Sequence, residues 1–414
     1  MMGARQETLL VQIQNPEGLW LDVGFVRKDD PKNWFEFTDS YWGLPGRPVL
    51  GQIFEEQGRH FKPTAHVALP HWFSHLLPEG RLRSAVADAA HTSPAREFEL
   101  LKRLGRYDLP GALRVQPVTS PFDLAPPDLA DEDALADEHD PILKFSLAGA
   151  QLKFSVFSDE RGITIPARGQ AGNVIIKFPD GRTGFGGVPE AELGSLELAR
   201  ASGFAVAEAE LRDPSEVEGL ERWASGATGM ALAVHRFDRK GADGRVHMEE
   251  LAQVMNIPTK PDVMKYKRGN LETVASYVGA LAGPEAVGEV IDRIVLNVII
   301  GNGDAHLKNW AFLYPDGRTP ELSPLYDVLP TVLYVANDDM GLHLNQNKKF
   351  EEVTPASFER LAMRAGYGVE AARMRASDAV DRIMENWTLM KEYLPAEEFK
   401  TLTNRHRSLA IMRH

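Results

Sequence analysis

This sequence predicts an α+β fold, strand-rich up to about residue 240 and mostly helical beyond it, and three observations carry that expectation. Apolar and polar residues alternate over 8–26 and 34–42 between turn signals. A β-branched run, Val174-Ile175-Ile176, stands before a Pro-Asp-Gly turn. From Val287 to Ile300 apolar residues recur at helical spacing.

Composition bounds the class. The 414 residues, 43% hydrophobic and 25% charged, suit two or three core-bearing units, with room for an enzyme. No apolar run approaches the ~18 to 20 residues of a membrane span, and the N-terminus lacks a basic-then-apolar signal pattern. Cytoplasmic residence is the expectation. The absence of cysteine excludes disulfides, thiolate metal sites and cysteine nucleophiles. A net charge of −13 argues against a broad nucleic-acid-gripping face, and the Lys348-Lys349 pair reads as a solvated turn.

In chain order, residues 8–26 read as two strands around Asn15-Pro16-Glu17-Gly18, and 34–42 as a third. Residues 71–90 read as two helices separated by Pro78-Glu79-Gly80. His71 and His75 lie four apart there, but with no third ligand at hand they read as packing residues. Residues 98–115 give a helix stopped by Gly105, a Pro-Gly turn and a strand. Together these form an N-terminal unit over 1–118. The acidic, proline-rich stretch 119–142 marks a connector.

Beyond it, Lys144 to Phe157 has strand-like flanks around Leu147-Ala148-Gly149-Ala150-Gln151. Small residues at such a turn let backbone N–H groups approach phosphate oxygens, although the Walker spacing is absent. Lys177 ends the β-branched strand, where a buried cation requires an anionic partner. The following helix offers Glu192 first and Glu197 second. Ala231–Val234 is a strand leading into His235-Arg236-Phe237-Asp238-Arg239, then a turn and a helix. The small lobe spans 143–240 and the helical lobe 241–414.

The loop after the long helix carries the chemistry. Asp304 followed five residues later by Asn309 is the order in which a carboxylate takes the proton of an attacking hydroxyl and an amide oxygen holds a magnesium ion. Asp327, after a short apolar run, is placed as a second metal-binding carboxylate. An all-oxygen set suits a hard cation such as Mg²⁺.

Five blocks, FSLAGAQLKFSV, VIIKFP, ALAVHRFDR, GNGDAHLKNW and SPLYDV, resemble in order and separation the HipA family of serine/threonine-protein kinases, the toxin halves of bacterial toxin–antitoxin pairs. WFSHLLPEGRLRS and LGRYDLPGAL resemble that family's N-terminal region. The resemblance implies a two-lobed protein-kinase-like fold with a mixed α/β N-terminal subdomain, a β-rich small lobe and an all-helical large lobe. It implies ATP and Mg²⁺ as cofactors, Asp304 as catalytic base, and Asn309 and Asp327 as metal ligands. Ala148, Gly149, Ala150, Gln151, Leu152 and Lys153 match the family's phosphate loop, and Lys177 its phosphate contact. His235, Arg236 and Phe237 match the adenine-side connector, while His306, Leu307, Lys308 and Tyr326 line the nucleotide site. Ser146 stands where such kinases phosphorylate themselves, adding roughly −1.5 to −2 charges beside the nucleotide phosphates.

The implied substrate is an aminoacyl-tRNA synthetase, glutamyl-tRNA synthetase above all. The implied partner is a HipB-like helix-turn-helix antitoxin, through which the chain would meet DNA. Three positions depart from the family: Leu152 for an acidic residue, Phe154 for a small polar one, and His235 for a glutamate. Two other readings share parts of this pattern, a small-molecule phosphotransferase of the antibiotic-modifying kind and a catalytically weak antitoxin-binding corepressor.

Overall fold

The computed structural model describes residues 7–106, 108–118, 153–159, 162–164, 171–179, 186–220, 229–241 and 243–413. Strands β1 (Glu7–Gln14), β2 (Trp20–Asp29), β3 (Lys32–Phe37), β4 (Thr64–His66) and β5 (Leu113–Pro117) form an antiparallel sheet in the order β4-β3-β2-β1-β5. At the β1–β2 turn the Gly18 N–H donates to the Asn15 carbonyl at 2.9 Å, with Gly18 at φ +85° where a side chain would be strained. The strand expected over 34–42 ends at Phe37. The Thr38 hydroxyl accepts the Tyr41 N–H at 3.2 Å and caps a short helix, Asp39–Trp42, so local capping overrides the apolar alternation.

Two helices, His71–Ser74 and Gly80–Ala89, follow as the pattern predicts, and Gly105 caps the next, Glu97–Leu104. Glu97 is wholly buried at the start of that helix, where it accepts from the Leu69 N–H at 2.8 Å, the Ser74 hydroxyl at 2.5 Å and Arg83 at 2.6 Å. A buried carboxylate with three donors fixes the entry to the helix Gly80–Ala89.

The second sheet comprises β6 (Lys153–Asp159), β7 (Gly162–Thr164), β8 (Val174–Lys177), β9 (Ala209–Arg212), β10 (Val217–Glu218) and β11 (Ala231–His235). Their order is β10-β7-β6-β8-β11-β9, antiparallel except for β10 with β7. Val174 and Ile176 of β8 point into an apolar core shared with Val11, Phe98 and Leu113 of the first unit. The alternate residues, Ile175 and Lys177, face a cleft on the other side. Helix Val188–Ala201 packs against β9 and β11.

An ion cluster ties the two sheets together at the connector. Arg236 reaches Asp108 at 2.9 Å and Asp238 at 2.8 Å, and Arg239 reaches Asp108 at 2.6 Å. All four side chains are nearly or wholly buried, so each charge depends on the others for its counter-ion.

The large lobe is predominantly helical, built from Leu271–Ala282, Pro284–Ile300, Glu359–Ala365, Val369–Asn386 and Ala396–Arg405 around a separate apolar core. It also holds a small antiparallel sheet of His247–Glu250, Ala311–Tyr314 and Glu321–Leu322, so a lobe expected to be all-helical is not entirely so. The turn and helix expected after Arg239 are both present, but a short hairpin pairing Arg239–Lys240 with Gly244–Arg245 and the strand His247–Glu250 come first and confine the helix to Leu251–Val254. The cause is tertiary. Buried Glu249 accepts from Trp72 Nε1 at 2.7 Å, the Gln52 N–H at 3.1 Å and the Tyr314 hydroxyl at 2.9 Å. Burial pushes its carboxyl up to about 7 despite these donors. Among the described residues, no helix is long and apolar enough to cross a membrane.

Replacing Asp108 with alanine leaves the buried Arg236 and Arg239 to share the single carboxylate of Asp238. The expected cost is about 3–5 kcal/mol, read as a fall in the urea midpoint of the variant.

Candidate active site

The cleft forms where the open face of the second sheet meets the large lobe. On its floor, antiparallel register sets Lys153 of β6 directly opposite Lys177 of β8, so the two cations share a face. Lys177 Nζ lies 2.5 Å from Glu192 Oε1 and bonds Asp327 Oδ1 on its other side. Glu192, and not Glu197, is the helix partner; Glu197 pairs with Arg200 on the surface. Lys153 approaches Asp327 Oδ2 at 3.8 Å.

The electrostatics follow from burial and pairing. Burial alone would discharge Lys177, but Asp327 and Glu192 more than offset it and hold the ammonium well above the usual lysine range. Burial likewise opposes charge on Asp327, and Lys153 and Lys177 reverse that, holding its carboxyl well below the carboxylate range. Asp327 adopts φ +55°, a left-handed conformation uncommon for a residue with a Cβ. Its neighbour Tyr326 donates its hydroxyl to the Lys308 carbonyl at 2.7 Å, tying the Asp327 turn to the Asp304–Asn309 loop.

That loop grows out of the helix Pro284–Ile300, which opens on Pro284 and closes on Gly301 at φ +76°. Arg405 donates to the Val298 and Ile299 carbonyls at 3.0 and 3.1 Å and satisfies the helix end. The Asn302 side chain accepts the Asp304 N–H at 3.0 Å, and Asn309 Nδ2 donates to the Asp304 carbonyl at 3.0 Å. With its amide nitrogen so used, Asn309 keeps its Oδ1 as an acceptor beside Asp327, and both line one small cavity. The Asp304 carboxyl accepts the Tyr266 hydroxyl. Protein crowded around it pushes its affinity for a proton up, as do Asp327 and Asp338, while the Tyr266 hydroxyl and Lys265 oppose them.

Lys177, Asp304, Asn309 and Asp327, separated by up to 150 positions, therefore meet in one place. The other predicted residues divide. His235 and Phe237 border the cleft, and Phe237 sets its ring 5.4 Å from Tyr326. The Arg236 guanidinium is committed to Asp108 and Asp238, so its side chain holds the connector in place. Leu307 packs in the core of the large lobe, and His306 is buried against Tyr266. Lys308 is buried on Glu79 at 2.7 Å. Ser146, Ala148, Gly149, Ala150, Gln151 and Leu152 lie outside the described residues.

Sequence reasoning missed Glu79, Glu250 and Tyr266. Glu79 sits in a Pro-Glu-Gly turn that reads as punctuation, yet its carboxylate contacts both Lys308 and Lys265, the latter at 3.3 Å. Glu250 lies 3.6 Å from Lys308, and burial pushes its carboxyl up to about 7. Among the described residues no group of three or more His, Asp or Glu side chains is arranged to hold a metal. Any cation at Asn309 and Asp327 would need further oxygens from a ligand or water, the usual condition for Mg²⁺.

The HipA-like C-terminal domain matches residues 145–387, and the HipA N-terminal domain matches 21–116. This chain belongs to the HipA family. A relative called a putative kinase, Y4dM of Sinorhizobium fredii, is 40% identical over 374 residues and 88% of each chain. The serine/threonine-protein kinase toxin HipA of Shewanella oneidensis is 22% identical over 325 residues, 71% of this chain and 70% of that one. The same fold occurs in the Shewanella oneidensis HipA solved with HipB and operator DNA, at a TM-score of 0.69 and 17% identity, covering 97% of this chain and 95% of that one. Kinase activity is the shared property at the level of the HipA family.

His75, four residues before Glu79, donates its Nε2–H to the Ile257 carbonyl at 2.8 Å and serves packing between the N-terminal unit and the large lobe of this HipA-family chain. Burial first, and then the Lys308 cation, hold its pKa down at about 3 from an ordinary 6.5. As pH falls below about 6.5 the unfolded chain takes up the proton first, so stability declines by about 1.4 kcal/mol per unit until the folded value is reached. His75→Gln is expected to flatten this part of the curve by that amount in urea unfolding at about pH 7.5 and 5.5.

Proposed function

We propose that this chain is an ATP- and Mg²⁺-dependent serine/threonine-protein kinase that acts as the toxin of a toxin–antitoxin pair. The observation that carries the reading is the Lys177 ammonium held between Glu192 and Asp327, with Asn309 lining the adjoining cavity beside Asp327 and bonded to the Asp304 carbonyl. A strand lysine with two carboxylates, one from a helix and one from a metal-side loop, is the arrangement of a kinase phosphate site. The apolar part of the cleft, bordered by Ile175, Val234, Phe237 and Tyr326, suits a purine base.

Asn309 and Asp327 would hold Mg²⁺, whose charge neutralises the phosphates when it is bound. Lys177 and Lys153 would contact the phosphate oxygens. Asp304 would take the proton of the acceptor hydroxyl as its oxygen attacks the γ-phosphorus, and positioning and charge do the rest. Ser146 is the proposed site of self-phosphorylation, which would silence the enzyme by repelling the nucleotide.

The proposed substrate is an aminoacyl-tRNA synthetase, with glutamyl-tRNA synthetase favoured, and the proposed location is the cytoplasm. The proposed partner is a HipB-like antitoxin, supported by the fold shared with a HipA solved beside HipB and operator DNA. An acidic chain of net charge −13 would meet DNA only through that partner.

Asp304→Gln is expected to lower label transfer from ATP to protein by about a hundred- to ten-thousand-fold and to relieve growth arrest on expression. Near-normal transfer would remove Asp304 from its role. Ser146→Ala is expected to abolish self-labelling, read by phosphopeptide mass spectrometry, while transfer to glutamyl-tRNA synthetase persists. Unchanged self-labelling would remove Ser146.

A further inference from the structure

The Asp304 carboxyl has a phenolic partner. Tyr266 donates its phenolic O–H to Asp304 Oδ1, and its ring meets His306 edge-on at 5.1 Å between centroids. Tyr266 belongs to a four-residue helix, Met264–Lys267, whose side chains are half-buried or exposed. Met264 packs against the large-lobe core, and polar ties add to that hold. One runs through Lys265, whose Nζ lies 3.3 Å from Glu79 Oε2. The other oxygen of the same carboxylate, Glu79 Oε1, lies 2.7 Å from Lys308 in the catalytic loop. Burial opposes charge on Glu79, but Lys308 and Lys265 reverse that and keep it ionised, so it can grip both cations.

We infer, on the kinase reading above, that Tyr266 is a positioning residue for phosphoryl transfer: its phenol fixes Asp304 Oδ1, and Glu79 of the N-terminal unit holds Tyr266 there through Lys265. Oδ2 is then the oxygen that takes the acceptor's proton. In that step the acceptor oxygen forms a bond to the γ-phosphorus, the bond to the β–γ bridging oxygen breaks, and ADP leaves. A carboxylate free to rotate would present a misaligned lone pair for much of the time. The geometry favours a fixed support over a removable plug, because one glutamate clamps both the Tyr266 segment and the loop bearing Asp304. A plug that must leave would be tied to something other than the catalytic loop.

The experiment compares initial rates of label transfer from ATP to cell-extract proteins for the full chain and its variants. Tyr266→Phe keeps the ring against His306 and removes only the O–H. Its maximal rate is expected to fall about tenfold, with the half-saturating ATP concentration within about twofold of wild type and an unchanged melting temperature. Incorporation of 3-fluorotyrosine at 266, which retains the O–H, restores the rate. Glu79→Gln also lowers the rate, and the double variant is no slower than the slower single one, since the two act in series. A Tyr266→Phe rate equal to wild type overturns the inference, and so does a faster one, which would make Tyr266 a barrier to the acceptor. Multiplying losses in the double variant would break the link to Glu79. A wild-type chain that transfers no label removes the kinase reading and this inference with it, whereas a competent wild type with an unimpaired Tyr266→Phe removes this inference alone.

Discussion

A single buried ammonium organises the cleft. Lys177 stands on a strand whose neighbours, Val174 and Ile176, point the opposite way into apolar core, so strand geometry delivers the lysine to the open face. A charge in that position is tolerated only with counter-charges at contact distance. Glu192 supplies one from the helix Val188–Ala201 and Asp327 the other from the turn after the small sheet of the large lobe. The requirement to neutralise one side chain thus draws three distant stretches of chain to one point. The left-handed backbone at Asp327 is what that convergence demands of the third stretch.

The N-terminal unit is built into this arrangement and is not an appendage to it. Glu79 grips the catalytic loop, Trp72 satisfies Glu249 beneath the large-lobe sheet, and Asp108 completes the ion cluster at the connector. Each contact is charge-assisted and buried or nearly so, the kind that loses most when one partner is removed. The first sheet and the second also share one apolar core. Changes in the N-terminal unit therefore have a physical route to the position of the Asp304–Asn309 loop.

Much of the fold was legible because it rests on local rules. The Asn-Pro-Glu-Gly turn, the Gly105 stop and the helix running to Gly301 all follow from propensity and periodicity. Failures fell where local and tertiary signals compete. Thr38 ended a strand whose apolar alternation continued, and His247–Glu250 became a strand because Trp72, Gln52 and Tyr314 reward a buried Glu249. In the site, Lys177 announced its need for an anion, and the Asp304–Asn309 spacing announced a polar loop that the Asn309 bond to the Asp304 carbonyl closes. Arg236 does line the cleft, but its guanidinium is a strut, because its partner Asp108 lies 128 positions earlier.

By itself the sequence determined which residues carry charge at strand and helix ends and which loop pairs Asp304 with Asn309, since both follow from neighbours within a few positions. It also identified the HipA pattern, whose blocks are each local. Only the tertiary structure decided that Glu192 rather than Glu197 meets Lys177, that Glu79 reaches Lys308, and that Tyr266 bonds Asp304. Those choices depend on which surfaces face each other after two cores have formed, and a side chain's own neighbours in sequence hold no record of that.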